Sequence, residues 1–449
     1  MWSPSRRAWL AVPWNSDELI RAELFSAERL EQHAESLAIA QRVAKAPRAP
    51  ASLSRRLADS SRLLRDAYHD IASVIDEGYP ITPAAEWLID NFHIVEEQIR
   101  EIRDDLPPSF YKQLPKLADG PLSGYPRVFG LAWAFVAHTD SRFDAELLRR
   151  FVAAYQRVQP LTIGELWAVA ISLRIVLVEN LRRAAERIVS GRAARLEADR
   201  VANRLLGIEG DAPEPISGVL RAYERAPLQR AFAVQLVQRL RDQDPRVTPA
   251  LHWLDERLAA QSTTAEQLVQ SEIQRQGAMN VTVRNAITSM RHISAIDWGE
   301  IFESLSLVDA VLAKASEFAR MDFPTRNRYR RAVEELARGA KRTELEIAER
   351  ALEAARQARI ASERGGDSTL RRDHDPGFYL VGSGRWRFED TLGFRAPVHT
   401  WLGRISATAG IRGYLGTIGL LTGLVLSLAL LLAAPPIGEI GLGLLALLG

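Results

Sequence analysis

Charges of opposite sign recur three and four residues apart through long stretches of this chain, and this pattern constrains its fold more than any other feature. It is plain in IVEEQIREIRDD and in RTELEIAERALEAARQARIASER. Residues at these spacings are neighbours on a helix surface, so such pairs support helices whose outer faces meet water. Ala, Leu, Arg and Glu dominate, whereas aromatic residues make up only 7% of the 449 residues and long alternating β-branched runs are missing. The sequence therefore predicts an all-α protein.

The predicted helical region spans residues 1–400 and contains several short breaks. One helix is predicted over Leu53–Glu77. The Gly- and Pro-containing segment LGIEGDAPEPIS interrupts the helical pattern and suggests a boundary between subregions near 207–217. Near 378–388, two short runs separated by a glycine-containing turn allow a small β-hairpin.

The charge balance and the absence of cysteine exclude several classes of function. The chain has 58 basic and 56 acidic residues, a net charge of +2, and the two signs are interspersed. A nucleic-acid-binding protein would instead present a basic stripe, so we expect no nucleic acid partner. With no cysteine, disulfides, thiolate nucleophiles and cysteine-based zinc sites are excluded.

The C-terminal part of the chain is apolar on every face. The run GYLGTIGLLTGLVLSLALLLAA, residues 413–434, has no charge and is long enough to cross a bilayer, so it predicts a transmembrane helix. Arginines in the preceding basic segment, 401–412, place residues 1–400 in the cytoplasm, at the bacterial inner membrane. A second apolar run, 437–449, is too short to span and predicts an incomplete second transmembrane helix.

The segment EWLIDNFHIVEEQIREI raises the question of a metal or acid–base site. Asp90, His93 and Glu97 follow one another at helical spacing, so they would project from one side of a helix. A helical carboxylate metal site needs Glu-x-x-His from two helices and carboxylates from two more, and no second copy occurs here. The spacing therefore favours a polar helix edge over a metal site.

Two Asp-x-Asp triplets, 242–244 and 373–375, resemble the metal–nucleotide-sugar motif of glycosyltransferases. That motif needs a preceding apolar strand, whereas the first triplet follows a helical segment and the second lies in a polar loop. We therefore interpret them as a helix end and a turn. Aromatic residues that could stack on sugars have helical spacing and aliphatic neighbours, which favours core packing. They are Trp87, Trp133, Trp167, Trp253, Trp298, Tyr125 and Tyr155. The sequence thus assigns no catalytic, cofactor-binding or metal-binding residue.

Several long segments carry a family resemblance. They are AEWLIDNFHIVEEQIREIRDDLP, LPKLADGPLSGYPRVFGLAWAFVAHTDSRFD, QPLTIGELWAVAISLRIVLVENLRR, NVTVRNAITSMRHISAIDW, MDFPTRNRYRRAVEELARG and DPGFYLVGSGRWRFE. Through them the chain resembles the N-terminal region of the bacterial cyclic β-1,2-glucan synthases, a family of membrane glucosyltransferases. The resemblance covers nearly the whole chain.

The resemblance implies functions that the residues themselves do not reveal. Members of that family polymerise glucose from UDP-glucose on a protein-linked oligosaccharide and then cyclise the chain. Their transferase domain carries an Asp, an Asp-x-Asp and a Gln-x-x-Arg-Trp motif. This chain has no Gln-x-x-Arg-Trp and no series of strands for a nucleotide-binding sheet. We therefore expect a region truncated before the catalytic domains and inactive alone, with UDP-glucose and a divalent metal bound only by the missing transferase domain.

Two functions from different classes follow as hypotheses. The first is a non-catalytic region of a cyclic β-1,2-glucan synthase that supports the missing domains. The second is a stand-alone, membrane-anchored helical scaffold that binds a full synthase or another envelope enzyme. The expected partners are the membrane and the catalytic domains or other subunits of the synthase.

Overall fold

The computed structural model confirms a mostly helical fold, since 79% of the residues that it describes are helical. It describes residues 18–44, 52–208, 214–224, 227–241, 245–314, 316–364, 372–395, 416 and 418–427. The chain divides into two compact units, Met1–Ser306 and Leu307–Gly449. The break predicted near 207–217 lies inside the first unit.

The first unit is a helical assembly with one very small sheet. Its helices are α1 (Ala27–Ala40), α2 (Leu53–Asp76), α3 (Pro83–Asp90), α4 (Phe92–Asp105), α5 (Pro108–Gln113), α6 (Arg127–His138), α7 (Ala145–Val158), α8 (Ile163–Leu206), α9 (Ile216–Leu220), α10 (Arg230–Leu240), α11 (Thr248–Ala259), α12 (Ala265–Ala295) and α13 (Trp298–Leu305). Short 3-10 turns occupy Arg221–Tyr223 and Pro245–Val247. Strands β1 (Val43–Ala44) and β2 (Lys116–Leu117) pair antiparallel, with Val43 opposite Leu117.

Helix α8 organises the first unit, because most of the other helices contact it. The most extensive packing is with α2, α4, α6, α10 and α12. A capping box starts α8: the Thr162 hydroxyl accepts from the Glu165 amide, and the Glu165 carboxylate accepts from the Thr162 amide. Gly207, at φ 70°, ends it in the left-handed conformation that suits glycine. Over its first half, α8 is buried at almost every position, so apolar residues occur on all its sides and the buried charged residues among them form ion pairs.

A separate apolar cluster surrounds the second half of α8. Val201 on α8 packs with Leu236 on α10 and Leu254 on α11, and Leu268 on α12 completes the cluster. Each of these side chains is at most 5% exposed. The one long helix thus contributes to two regions of the core.

The second unit is smaller and also helical. It contains α14 (Leu307–Ala313), α15 (Phe323–Ala340), α16 (Glu344–Arg364), α17 (Pro376–Leu380) and α18 (Arg385–Leu392), with 3-10 turns at Glu317–Arg320 and Arg372–His374. Arg330 on α15 is fully buried and donates from Nε to Oδ1 of Asp309 on α14 at 3.1 Å. This ion pair fixes the two helices together inside the core of the unit.

The hairpin predicted near 378–388 is wrong, because the segment forms helices α17 and α18. Asp375 caps α17 by accepting from the Gly377 amide at 2.7 Å, and Pro376 supplies the fixed φ that suits the first helical position. The Gly384 amide then donates to the Phe378 carbonyl at 3.1 Å. These local bonds occupy the backbone groups that a strand pair would have used.

The C-terminal predictions fall mostly outside the described residues. Of the predicted transmembrane segment 413–434, only Gly416 and 418–427 are described; they are helical and exposed. Among the described residues, no helix has the length and apolar character needed to cross a membrane. The basic segment 401–412 and the short apolar run 437–449 are not among the described residues.

Candidate functional site

The structure separates the residues that the sequence offered as a metal site. Helix α3 ends at Asp90, and α4 begins at Phe92 after a break at Asn91. Asp90, His93 and Glu97 are all exposed, on the two sides of this break. Within the described ranges, no group of three or more His, Asp or Glu side chains could hold a metal ion.

Of the two Asp-x-Asp triplets, one can be placed. Residues 242–244 are outside the described residues. In the other, Asp373 and His374 lie in a 3-10 turn, and Asp375 caps α17 while accepting from the Tyr329 hydroxyl at 3.0 Å. Asp375 is therefore used to position a helix end.

A cleft of the first unit opens beside Trp133, and we call it the Trp133 cleft. Its volume is about 230 Å³, and its lining is mainly apolar. One wall is the end of α1, one is the 117–122 segment, and one is the face of α6 that carries Gly130, Trp133 and His138. Its polar side chains are Arg21, Gln41, Asp119 and His138. An apolar cleft with a few polar groups is typical of small-molecule sites.

A hydrogen-bond chain fixes the orientation of Gln41 in this cleft. The Tyr155 hydroxyl donates to Gln41 Oε1 at 2.8 Å, and Gln159 Nε2 donates to the Gln41 carbonyl at 3.1 Å. Arg127 holds Gln159 in turn, because its Nη1 donates to Gln159 Oε1 at 2.9 Å. A Cβ atom on Gly130 would lie 2.9 Å from Gln41 Nε2, so only glycine lets the amide approach α6 this closely.

A cluster of aromatic rings borders the cleft at His138. The His138 ring stacks on Phe25 with centroids 3.9 Å apart, and the His33 ring meets it edge-on at 4.5 Å. Burial and the neighbouring His138 lower the pKa of His33 to about 4, and burial also lowers the pKa of His138. Both rings are therefore neutral at pH 7. His138 Nδ1 donates to the Glu23 carbonyl at 2.7 Å, which leaves Nε2 as the acceptor nitrogen of that ring.

A buried ionic network lies behind Trp133. The Arg183 guanidinium carbon is 5.2 Å from the Trp133 ring centroid, and Arg183 Nε donates to Glu179 Oε1 at 3.0 Å. Arg56 and Arg182 bind the same carboxylate, at 2.9 and 3.2 Å. Burial works to raise the pKa of Glu179, but the three guanidinium groups outweigh it and the pKa is lowered. The Glu179 carboxylate thus binds three arginines, and the Trp133 ring packs against the most buried of them, Arg183.

The aromatic residues differ in how far the core-packing interpretation holds. Tyr125 and Tyr155 are buried, as predicted, and Trp167 stacks on Phe302 at 4.4 Å. Trp133 is only half-buried and lines the cleft. Sequence reasoning missed the cleft itself. Its one sequence signal is Gly130 inside an apolar helix, which indicates a close approach to that helix.

No protein-family model matches the chain. The chain is similar to a curated relative, the cyclic beta-(1,2)-glucan synthase NdvB of Rhizobium meliloti. The two sequences are 36% identical over 384 residues, which is 85% of this chain. The chain spans about 13% of that relative's length. The predicted resemblance is therefore confirmed, and this chain is related, over most of its length, to one region of a cyclic β-(1,2)-glucan synthase.

Proposed function

We propose that the chain is a non-catalytic helical region of a membrane glucan synthase, which supports glucose polymerisation and cyclisation by domains outside it. The observation that carries this proposal is the 36% identity over 85% of the chain to a synthase of which it spans only 13%. The described arginine–carboxylate clusters are consistent with a supporting role, because Glu179, Glu165 and Asp309 each bind an arginine on a neighbouring helix.

The Trp133 cleft is the proposed contact with the saccharide. A glucosyl unit has a flat face of C–H groups that suits an aromatic ring, and hydroxyls that both donate and accept. Gln41 and His138 offer an amide donor and an imidazole acceptor held in fixed orientations. Asp119 adds an acceptor and Arg21 a donor. Such preset groups can hold a sugar without reacting with it, as a supporting region requires.

The apolar segment 413–434 is proposed as the membrane anchor, with residues 1–400 on the cytoplasmic side of the bacterial inner membrane. What supports this is its uncharged sequence, together with the exposure of its described apolar side chains. Leu420, Leu424 and Val425 are 70%, 62% and 63% exposed, and an apolar surface of this kind is favourable in lipid.

A reconstitution experiment tests the supporting role. Membranes of a bacterial host without its own glucan would carry this chain, a synthase lacking the corresponding region, or both, and would receive radiolabelled UDP-glucose. We expect labelled cyclic glucan only when both are present. Glucosyl transfer by the chain alone would show that it is catalytic, and failure of the pair to make glucan would contradict the supporting role.

The cleft has its own test in the same membranes. Trp133→Ala should lower glucan formation and weaken the binding of β-1,2-linked glucose oligomers to the purified chain. Trp386→Ala is the matched control, because Trp386 is 45% exposed and belongs to the second unit. Equal effects of the two changes would rule out a saccharide contact at the cleft and leave the supporting role to be judged by reconstitution.

An immunoblot with antibody against residues 18–395 separates the two functional hypotheses. A native product far above 50 kDa would indicate a region of a longer synthase, since this chain has a mass of 50.1 kDa. A product near that mass would favour the membrane-anchored scaffold that binds a separate synthase.

A further inference from the structure

A second cavity of the first unit lies between the end of α2, the start of α3, and the middle of α8. Its volume is about 310 Å³. One side is apolar and includes Ile71, Val74 and Ile188. Its charged lining residues are Arg192, Arg195 and Asp199, all on α8. We call it the arginine cavity.

The two arginines differ from the paired arginines elsewhere on α8. They stand three residues apart on α8, so they share one face of the helix, and both are half-buried. Within the described part of the chain, neither forms a hydrogen bond or an ion pair. Burial lowers the pKa of Arg195, and the positive charge of Arg192 lowers it further. The negative charges of Glu272 and Asp199 act in the opposite direction.

Asp199, which lines the cavity, and Glu272 are bonded to side chains other than the two arginines. Asp199 accepts from Gln235 Nε2 at 2.8 Å and pairs with Arg239 Nε at 3.5 Å. Glu272 accepts from Gln276 Nε2 at 3.2 Å. We expect two half-buried cations that repel each other to lower the stability of the protein, and an anion between them to offset that repulsion.

We propose that the arginine cavity binds a phosphate ester. Two adjacent guanidinium groups match the oxygens of a phosphate, which they bind through paired N–H donors. Helix α3 begins at the same cavity, since Thr82 and Ala85 line it, and its N-terminal dipole adds positive potential. The apolar wall and Tyr79, which is 55% exposed, provide surface for the organic part of the ester. This proposal is independent of the glucan-synthase function.

The probes are inorganic phosphate, pyrophosphate and glycerol phosphate, added to the full chain in uncharged detergent at constant ionic strength. We expect a rise in Tm and calorimetric binding with the phosphates but not with chloride. In the double variant Arg192→Gln/Arg195→Gln, we expect binding at least about tenfold weaker, a loss of about 1.4 kcal/mol. Arg200→Gln is the matched control, because Arg200 lies on the same helix, is exposed, and is paired with Glu197 at 3.1 Å. No binding by the parent chain, or equal binding by the double variant, would overturn the proposal.

Vesicles distinguish a lipid headgroup from a soluble ester. Binding to phosphatidic acid vesicles that depends on the two arginines, without binding of glycerol phosphate, would identify the ligand as a lipid phosphate. Binding of glycerol phosphate alone would identify a soluble ester.

The stability of the ligand-free protein gives a second, independent readout. Arg195→Met removes one of two repelling, half-buried cations and keeps an apolar stem of similar length. We expect the Tm of the ligand-free chain to rise, by about 1–3 °C, while the response to pyrophosphate disappears. A fall in Tm would show that Arg195 has a structural partner and would contradict the proposal.

Discussion

The two halves of helix α8 accommodate half-buried and buried arginines in opposite ways. In the first half, Arg174 is paired with Glu101 at 2.8 Å, and Arg183 with Glu179 at 3.0 Å. In the second half, Arg192 and Arg195 line a cavity with no hydrogen bond or ion pair to the described residues. Paired arginines such as Arg174 and Arg56 hold helices together, whereas we expect Arg192 and Arg195 to lower the stability of the ligand-free protein. The difference separates residues that maintain the fold from residues available to a ligand.

The largest expected effect comes from removing the carboxylate that pairs with the arginines in the first half of α8. Glu179→Gln would leave Arg56, Arg182 and Arg183 without their shared carboxylate, so we expect the free energy of unfolding to fall by about 3–5 kcal/mol. Urea unfolding of the chain in detergent measures it.

The control for that change is Glu186→Gln. Glu186 also binds Arg182, at 2.6 Å, but its side chain is 42% exposed, so the expected loss is below about 1 kcal/mol. Similar losses for the two variants would mean that burial does not determine how much these ion pairs stabilise the protein.

The stabilisation by Glu179 should also depend on pH. Because the pKa of Glu179 is lowered in the folded protein, its contribution to the free energy of unfolding is present above about pH 4.5 and is lost as the pH falls through the folded pKa.

In the Trp133 cleft, the polar side chain of Gln41 is held by a hydrogen bond and not by an opposite charge. In Gly130→Ala, the new methyl group would lie 2.9 Å from Gln41 Nε2 and 3.1 Å from Leu117 Cδ1. Since Tyr155 holds the amide, we expect a loss of about 1–3 kcal/mol in the free energy of unfolding. Gly277→Ala is the opposite case: nothing lies within 4 Å of its new Cβ, in the middle of α12, and it should stabilise the protein by about 0.5–1 kcal/mol. A neutral Gly130→Ala would show that Gln41 can move.

His33 shows a third way to bury a basic group, which is to give up its charge. Its pKa is about 4 in the folded protein, against an ordinary histidine value of 6.5, so the unfolded state binds more protons between these values. The free energy of unfolding should therefore fall as the pH drops from about 6.5 to 4, by on the order of 1 kcal/mol after allowing for partial exposure. His33→Gln should remove this slope in pH-dependent urea titrations, and an unchanged slope would assign it to other groups.

The smallest expected effect comes from adding a second carboxylate to the arginine cavity, which Asp199 already lines. Leu196→Glu places an acid four residues after Arg192, at a half-buried position that lines the arginine cavity. We expect a change in stability within about 0.5 kcal/mol, because the new ion pair offsets the loss of apolar contact. The response of Tm to pyrophosphate should disappear. A retained response would place the anion elsewhere.

The helical fold could be predicted because its signals are local. The predicted helix Leu53–Glu77 matches α2, Leu53–Asp76, since its apolar positions recur at helical spacing. The hairpin prediction failed because a run such as 378–381 is too short for its period to decide between strand and helix. Asp375 and Pro376, which form the start of a helix, were the better signal.

The two cavities could not be predicted, because they depend on contacts between distant parts of the chain. Gly130 is informative only once Gln41 is known to lie against it. Arg195 and Asp199 have the spacing of a helical ion pair, yet Asp199 binds Gln235 and Arg239 on another helix. Which arginine keeps a partner is therefore decided by tertiary packing.

The length of α8 has a consequence for how the first unit melts. Its 44 residues form one continuous rod of about 66 Å, and both regions of the core are built on it. Neither region can lose its packing without releasing part of the helix that the other requires. The two regions should therefore unfold in one cooperative transition, and amides along the middle of α8 should exchange with solvent no faster than those at the centre of either region.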